Sequence, residues 1–144
     1  MKRTVAILCC LLLAAVAFAQ GQMYRGEYSI EKDIPYHQDA GDYARERCTL
    51  DFYYPSELQD FPTIVWFHGG GLEGGNKEIP AALKDSGFGI VGVNYRLLPK
   101  ARVQECIDDA AAAVAWAFRE VGKRGGSPDK LFVAGHSAGA ILRI

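Results

Sequence analysis

Three short runs in this sequence are apolar on both faces: Thr63-Ile64-Val65-Trp66-Phe67, Gly89 to Tyr95, and Leu131-Phe132-Val133-Ala134. A strand without a polar face must be covered on both sides, the condition met inside a parallel sheet. Between the second and third runs, Val103, Ile107, Ala110, Ala111, Val114, Phe118 and Val121 recur at steps of three and four residues. That spacing marks one face of a long amphipathic helix, ended near Gly125-Gly126. Between the first and second runs, Ile79 to Ser86 has weaker helical spacing closed by Gly87. The alternation predicts an α/β fold with a mainly parallel sheet, flanking helices and right-handed crossovers.

Upstream, Leu50, Phe52 and Tyr54 alternate with Asp51 and Tyr53 until Pro55-Ser56, the signature of a half-exposed strand. Residues 20–47 are polar and mixed, with β-like patches at Tyr28 to Ile30 and Ile34 to Tyr36, and read as an N-terminal excursion. The first 19 residues carry Met1-Lys2-Arg3, an apolar run from Val5 to Ala19, and small residues in Ala17-Phe18-Ala19. This is the pattern of a cleaved secretory signal, so the expectation is export to the periplasm or beyond. The run falls short of the roughly 20 residues that cross a bilayer, so no stable membrane anchor is expected. Cys9 and Cys10 lie within it, where acylation would leave too short a signal. The domain proper is taken as residues 48–144.

The chain has 144 residues, enough for one domain or part of one. A net charge of -1 leaves no basic excess to neutralise a phosphate backbone, which argues against a nucleic-acid partner. No His, Cys or carboxylate cluster shows metal-ligand spacing, and no cofactor is expected. Cys48 and Cys106 remain after cleavage. They could pair if their Cα atoms came within about 7 Å, or stand as two separate buried thiols. Oligomeric state is not legible.

Directly after the last apolar run stands Gly135-His136-Ser137-Ala138-Gly139, a G-x-S-x-G pattern in the strand-to-turn context it requires. The glycines allow a turn so tight that flanking side chains would collide, which pushes Ser137 into an exposed, strained position. A helix starting at Ala138 would aim free N–H groups at developing negative charge. His68-Gly69-Gly70-Gly71 follows the first apolar run. An oxyanion needs N–H donors at about 2.7–3.1 Å, and residues lacking Cβ let backbone come that close. His68 is read as a brace of this loop rather than a base. His136, adjacent to Ser137, should point away from it.

Together, His68-Gly69-Gly70-Gly71, Asn94-Tyr95-Arg96-Leu97 and Gly135-His136-Ser137-Ala138-Gly139 resemble the α/β-hydrolase superfamily, nearest to the hormone-sensitive-lipase-like esterases. The entry strand Leu50 to Pro55 is similar to that of secreted carbohydrate-esterase-like members. The resemblance implies a carboxylic ester hydrolase with Ser137 as nucleophile and the N–H groups of Gly70, Gly71 and Ala138 as the oxyanion hole. It implies a small-molecule or carbohydrate ester as substrate. The fold's triad runs serine, acid, histidine along the chain, whereas His37, His68 and His136 all precede Ser137. Asp108 and Asp109 read as solvent or helix-end carboxylates. The expectation is therefore a fragment carrying a partial fold, truncated after the nucleophile elbow and almost inactive alone, with the last strand left as a bare edge.

Three other readings are weaker. Gly69, Gly71 and Gly74 spell a dinucleotide fingerprint, but Pro80 interrupts the helix it needs and Asn94 stands where an acidic ribose ligand belongs. A prolyl-oligopeptidase-type peptidase shares the elbow and triad order, but no propeller-like repeat is present. A non-catalytic hydrolase-like binding protein would have no need of strained, reactive geometry.

Overall fold

The computed structural model describes residues 24–37 and 41–142. The proposed signal at residues 1–19 lies outside them. The elements, in chain order, are strand β1 (Tyr28–Pro35), helix α1 (Asp42–Arg47), strands β2 (Thr49–Pro55), β3 (Phe61–Phe67) and β4 (Gly89–Val93), helix α2 (Val103–Glu120) and strand β5 (Gly126–Gly135).

The strands form one sheet in the order β1-β2-β4-β3-β5. β3 runs parallel to both β4 and β5, the arrangement the apolar runs required. β1 and β2 pair antiparallel, as do β2 and β4, so the sheet is mixed rather than mainly parallel. The reason lies in the entry segment: the β-like patches at its start join into one strand, bulged between Glu31 and Ile34 with Asp33 at φ 56°, and fold back on β2 as a meander.

One sheet face carries Leu50, Phe52, Val65, Phe67, Val91 and Val93, all fully buried. Against it α2 lays Cys106, Ala110, Ala113, Trp116 and Ala117. This is not the face the sequence spacing marked: of that stripe Ala110 and Val121 are buried, whereas Val103, Ala111 and Phe118 are exposed, because Cys106 and Trp116 turn the helix so that the alanines between them meet the sheet. The alanines let the helix axis come close, and Trp116 meets Phe52 edge-to-face at 6.1 Å. Each large apolar side chain removed from water there stabilises the fold by about 1.5–3 kcal/mol.

The opposite face is covered unevenly. β4 is buried throughout, but Ile64 and Trp66 of β3 are half-buried, and Phe132 of β5 is 57% exposed. The expectation of cover on both faces therefore holds for β4 and not for β3 or β5, because α2 lies on one side only. β5 and β1 are the two edge strands of the sheet among the described residues. The helix expected over Ile79 to Ser86 is only a 3-10 turn at Ala81–Leu83. Pro80 caps it, and Asp85 and Gly87 take positive φ. The preceding residues, without regular structure, pack against β4, where a Cβ on Gly92 would lie 2.3 Å from the Glu78 carbonyl oxygen.

Candidate functional site

The register between β3 and β5 pairs Phe67 with Gly135, so the two motif loops leave adjacent parallel strands side by side. His136 N–H donates to the Phe67 carbonyl at 3.1 Å, extending the ladder by one residue before the chain turns. Ser137 then takes φ 51°, in the left-handed region, and is exposed at the tip. A non-glycine residue held there costs about 1–3 kcal/mol, and the surroundings must over-determine it. They do so through the flanking glycines. A Cβ on Gly139 would sit 2.3 Å from the Phe67 oxygen and 2.4 Å from the His68 oxygen. One on Gly135 would sit 2.7 Å from the Gly139 backbone. The turn is thus pressed onto itself and onto the end of β3. The chain continues as a single 3-10 turn, Ser137–Ala140, closed by Gly139 N–H to the His136 carbonyl at 2.9 Å. It is tighter than the α-helix start expected at Ala138.

The glycine loop meets this elbow at Gly69, whose Cβ, were there one, would lie 2.8 Å from His136 Nδ1 and 3.3 Å from Ser137 Cβ. His136 is exposed and rests its ring against that glycine. Beyond it, Gly70 (φ 121°), Gly71 (φ 66°) and Leu72 (φ 63°) curl in the left-handed region. Glu73 and Gly74 donate their N–H groups to the Gly70 carbonyl at 3.1 and 3.0 Å. The N–H groups of Gly70 and Gly71 donate to no protein acceptor among the described residues. A run of free donors beside an exposed hydroxyl is what an anionic acyl-transfer intermediate needs.

His68 is buried, 3% exposed, with its ring stacked on Tyr95 at 4.4 Å. Its Nδ1 lies 2.7 Å from the Gly69 carbonyl, which can only accept, so Nδ1 carries the proton. Burial lowers the imidazole below its ordinary 6.5 and keeps it neutral. It braces the loop. The Tyr95 hydroxyl, its pKa pushed up by burial to about 12, donates to the His68 carbonyl at 2.7 Å.

Asp109 corrects the sequence reading. Far from being a solvent or helix-end carboxylate, it is fully buried. It accepts from Arg96 N–H at 2.9 Å, from Arg96 Nη2 at 2.8 Å and from His37 Nε2 at 3.0 Å. The stripe read from the sequence leaves Asp109 off its face; the signal that could have found it is the second stripe, Cys106, Ala110, Ala113, Trp116 and Ala117, on which Asp109 falls. Asp108, by contrast, is exposed as expected and accepts from Gln104. His37, Cys48 and Asp109 together form the described group whose ligand atoms, within 4.8 Å of one another, could hold a cation. The Arg96 guanidinium already neutralises the carboxylate of this group, and burial pushes the Cys48 thiol up to about 12. Cys48 and Cys106 are free, buried thiols. Cys106 donates to the Arg96 carbonyl at 3.0 Å.

Comparison with known proteins agrees with this geometry. Carboxylesterase NlhH of Mycobacterium tuberculosis is 37% identical over 93 residues, covering 60% of this chain and 29% of its own. The solved esterase B of Lactobacillus rhamnosis superposes with a TM-score of 0.69 at 26% identity, over 98% of this chain and 45% of that one. A truncated carbohydrate esterase from gut microbiota shares the fold, with a TM-score of 0.63 at 22% identity over 79% of this chain and 41% of that one. The chain thus spans 29% of the length of the curated relative. The BD-FAE family model matches residues 50–144, from the first core strand through both motif loops. With its α/β-hydrolase sheet and its elbow in register with the glycine loop, the chain belongs to the BD-FAE family.

Proposed function

We propose that the protein hydrolyses carboxylic esters through an acyl-enzyme formed on Ser137. The observation that carries this is the exposed serine at φ 51° on a glycine-flanked turn, touching a loop with free N–H donors. The likeness to carboxylesterase NlhH and esterase B supports the same chemistry. Ser137 Oγ attacks the ester carbonyl and passes its proton to a general base, which in this fold's chain order comes after the serine. The N–H groups of Gly70, Gly71 and Ala138 receive the developing oxyanion, and the alcohol leaves with a proton. Water then repeats the attack on the acyl-serine and releases the acid. His37 and His68 are committed elsewhere, to Asp109 and Gly69.

The substrate class proposed is a small-molecule or carbohydrate ester. Full-length protein assayed with short-chain aryl esters should show turnover, and Ser137→Ala should lower it by about a million-fold, to the level that binding and oxyanion donors alone sustain. Equal rates in the two proteins would sink the assignment.

A further inference from the structure

The glycine loop, residues 68–76, has no helix or strand of its own, so its shape depends on what grips its carbonyls. Three anchors do so. The Tyr95 hydroxyl holds the His68 carbonyl at 2.7 Å, Leu98 N–H holds the Leu72 carbonyl at 2.8 Å, and Arg47 Nη2 holds the Gly75 carbonyl at 3.1 Å. The first two come from the segment after β4, and the third comes from α1 in the N-terminal segment. Arg47 also reaches that post-β4 segment, through Nε to the Tyr95 carbonyl at 3.2 Å. Its Nη1 reaches Asn76 Oδ1 at 2.9 Å. One planar guanidinium therefore ties the far end of the glycine loop to the strand end that anchors the loop's beginning.

The consequence passes to Gly70 by direct contact. At φ 121° its Cα faces the Gly74-Gly75 peptide so closely that a Cβ would lie 2.2 Å from the Gly74 oxygen. Its carbonyl accepts from Gly74 N–H at 3.0 Å. Whatever fixes Gly75 fixes the surface on which Gly70 rests, and with it the direction of the Gly70 N–H.

We infer that Arg47 is a positioning residue for the oxyanion donors: from the N-terminal helix, its guanidinium sets the Gly70 N–H by clamping Gly75 and Tyr95 together. The inference rests on Ser137 being the nucleophile. An ammonium at this position is a point charge without the planar fork, so it cannot span all the acceptors at once.

The test uses full-length protein with Arg47→Lys and Arg47→Met, measuring kcat and KM on a short-chain aryl ester and the rate at which an aryl phosphonate labels Ser137. The phosphonate passes through a similar oxyanion. With donors misaimed, kcat should fall by about 10- to 100-fold, within the loss of one oxyanion donor. Phosphonate labelling should fall in parallel, while KM changes by less than about twofold. The Arg47→Lys protein should keep its thermal midpoint and still lose kcat, so it decides the matter if the Arg47→Met protein fails to fold. Wild-type kcat and labelling in both variants, or a loss confined to KM or to thermal midpoint, would overturn the inference while leaving the esterase reading intact. Absence of Ser137-dependent turnover or labelling in the unmodified protein would overturn both.

Discussion

At the scale of single residues, the site is braced by buried polar groups such as His68, Tyr95 and Asp109. His68 shows how such a group makes stability depend on pH. Its imidazole titrates lower in the folded protein than the 6.5 of an exposed histidine, because burial disfavours the charged form. As pH falls below 6.5 the unfolded chain therefore binds this proton first. The stabilisation is complete above that pH and is lost as pH falls towards the folded-state value. The substitution His68→Asn places an amide nitrogen where Nδ1 stands and removes the titration. It should cost stability at pH 8, through the lost ring stack on Tyr95, a contact worth about 0.5–1.5 kcal/mol. Urea denaturation of full-length protein at pH 8 and pH 5.5 should then show a smaller decline for the variant. An equal decline in both proteins would show that His68 does not contribute to it.

At the scale of elements, the geometry of the candidate site comes from two parallel strands ending together, with glycines where their loops press on each other. Gly139 is the tightest point, because a methyl group there meets two backbone carbonyls at 2.3 and 2.4 Å, neither of which can rotate away. Gly139→Ala should lift the elbow off the end of β3 and cost about 1–3 kcal/mol, as overpacking does. Turnover should fall by about a hundredfold, the effect of misplacing a reacting group by about 1 Å. Gly122→Ala is the matched control: nothing lies within 4 Å of the added carbon, and φ there is ordinary. Stability curves and aryl-ester kinetics on the pair should separate a steric effect from a general intolerance of alanine.

At the scale of the whole molecule, the core formed by the described residues is one-sided. α2 seals one sheet face, whereas Phe132 on the other face is 57% exposed and its strand, β5, is an edge strand among the described residues. A further apolar groove lies between α2 and the elbow, lined by Ala111, Val114, Ala115, Phe118 and Leu142. Open strand edges and exposed apolar surface promote intermolecular pairing. A polypeptide of residues 20–144 produced alone should therefore elute as oligomers in size-exclusion chromatography, and Phe132→Lys should shift it towards monomer. A soluble monomer with a sharp, cooperative melt would contradict this.

The parts of this protein legible in its sequence are those set by local periodicity and local sterics. Apolar runs at β3, β4 and β5 and the three-and-four spacing of α2 declare strand and helix, since periodicity is read within a few residues, but the face that α2 turns to the core is not the one its spacing marked. The two glycine motifs declare the tight turn and the curled loop beside it for the same reason: a backbone at positive φ or in close approach needs glycine wherever the rest of the chain goes. Tertiary structure alone decided what depends on distant partners. α1 is six residues without an apolar repeat, and its use comes from Arg47 and Tyr43 reaching the segment after β4. Ile79 to Ser86 has helical spacing, but Pro80 and contact with Gly92 leave one 3-10 turn. Asp109 reads as a helix carboxylate until Arg96 and His37, brought from 13 and 72 residues away, bury it as the centre of an ion pair. Which carboxylate is solvated and which is sealed depends on who arrives opposite it, and sequence spacing does not contain that information.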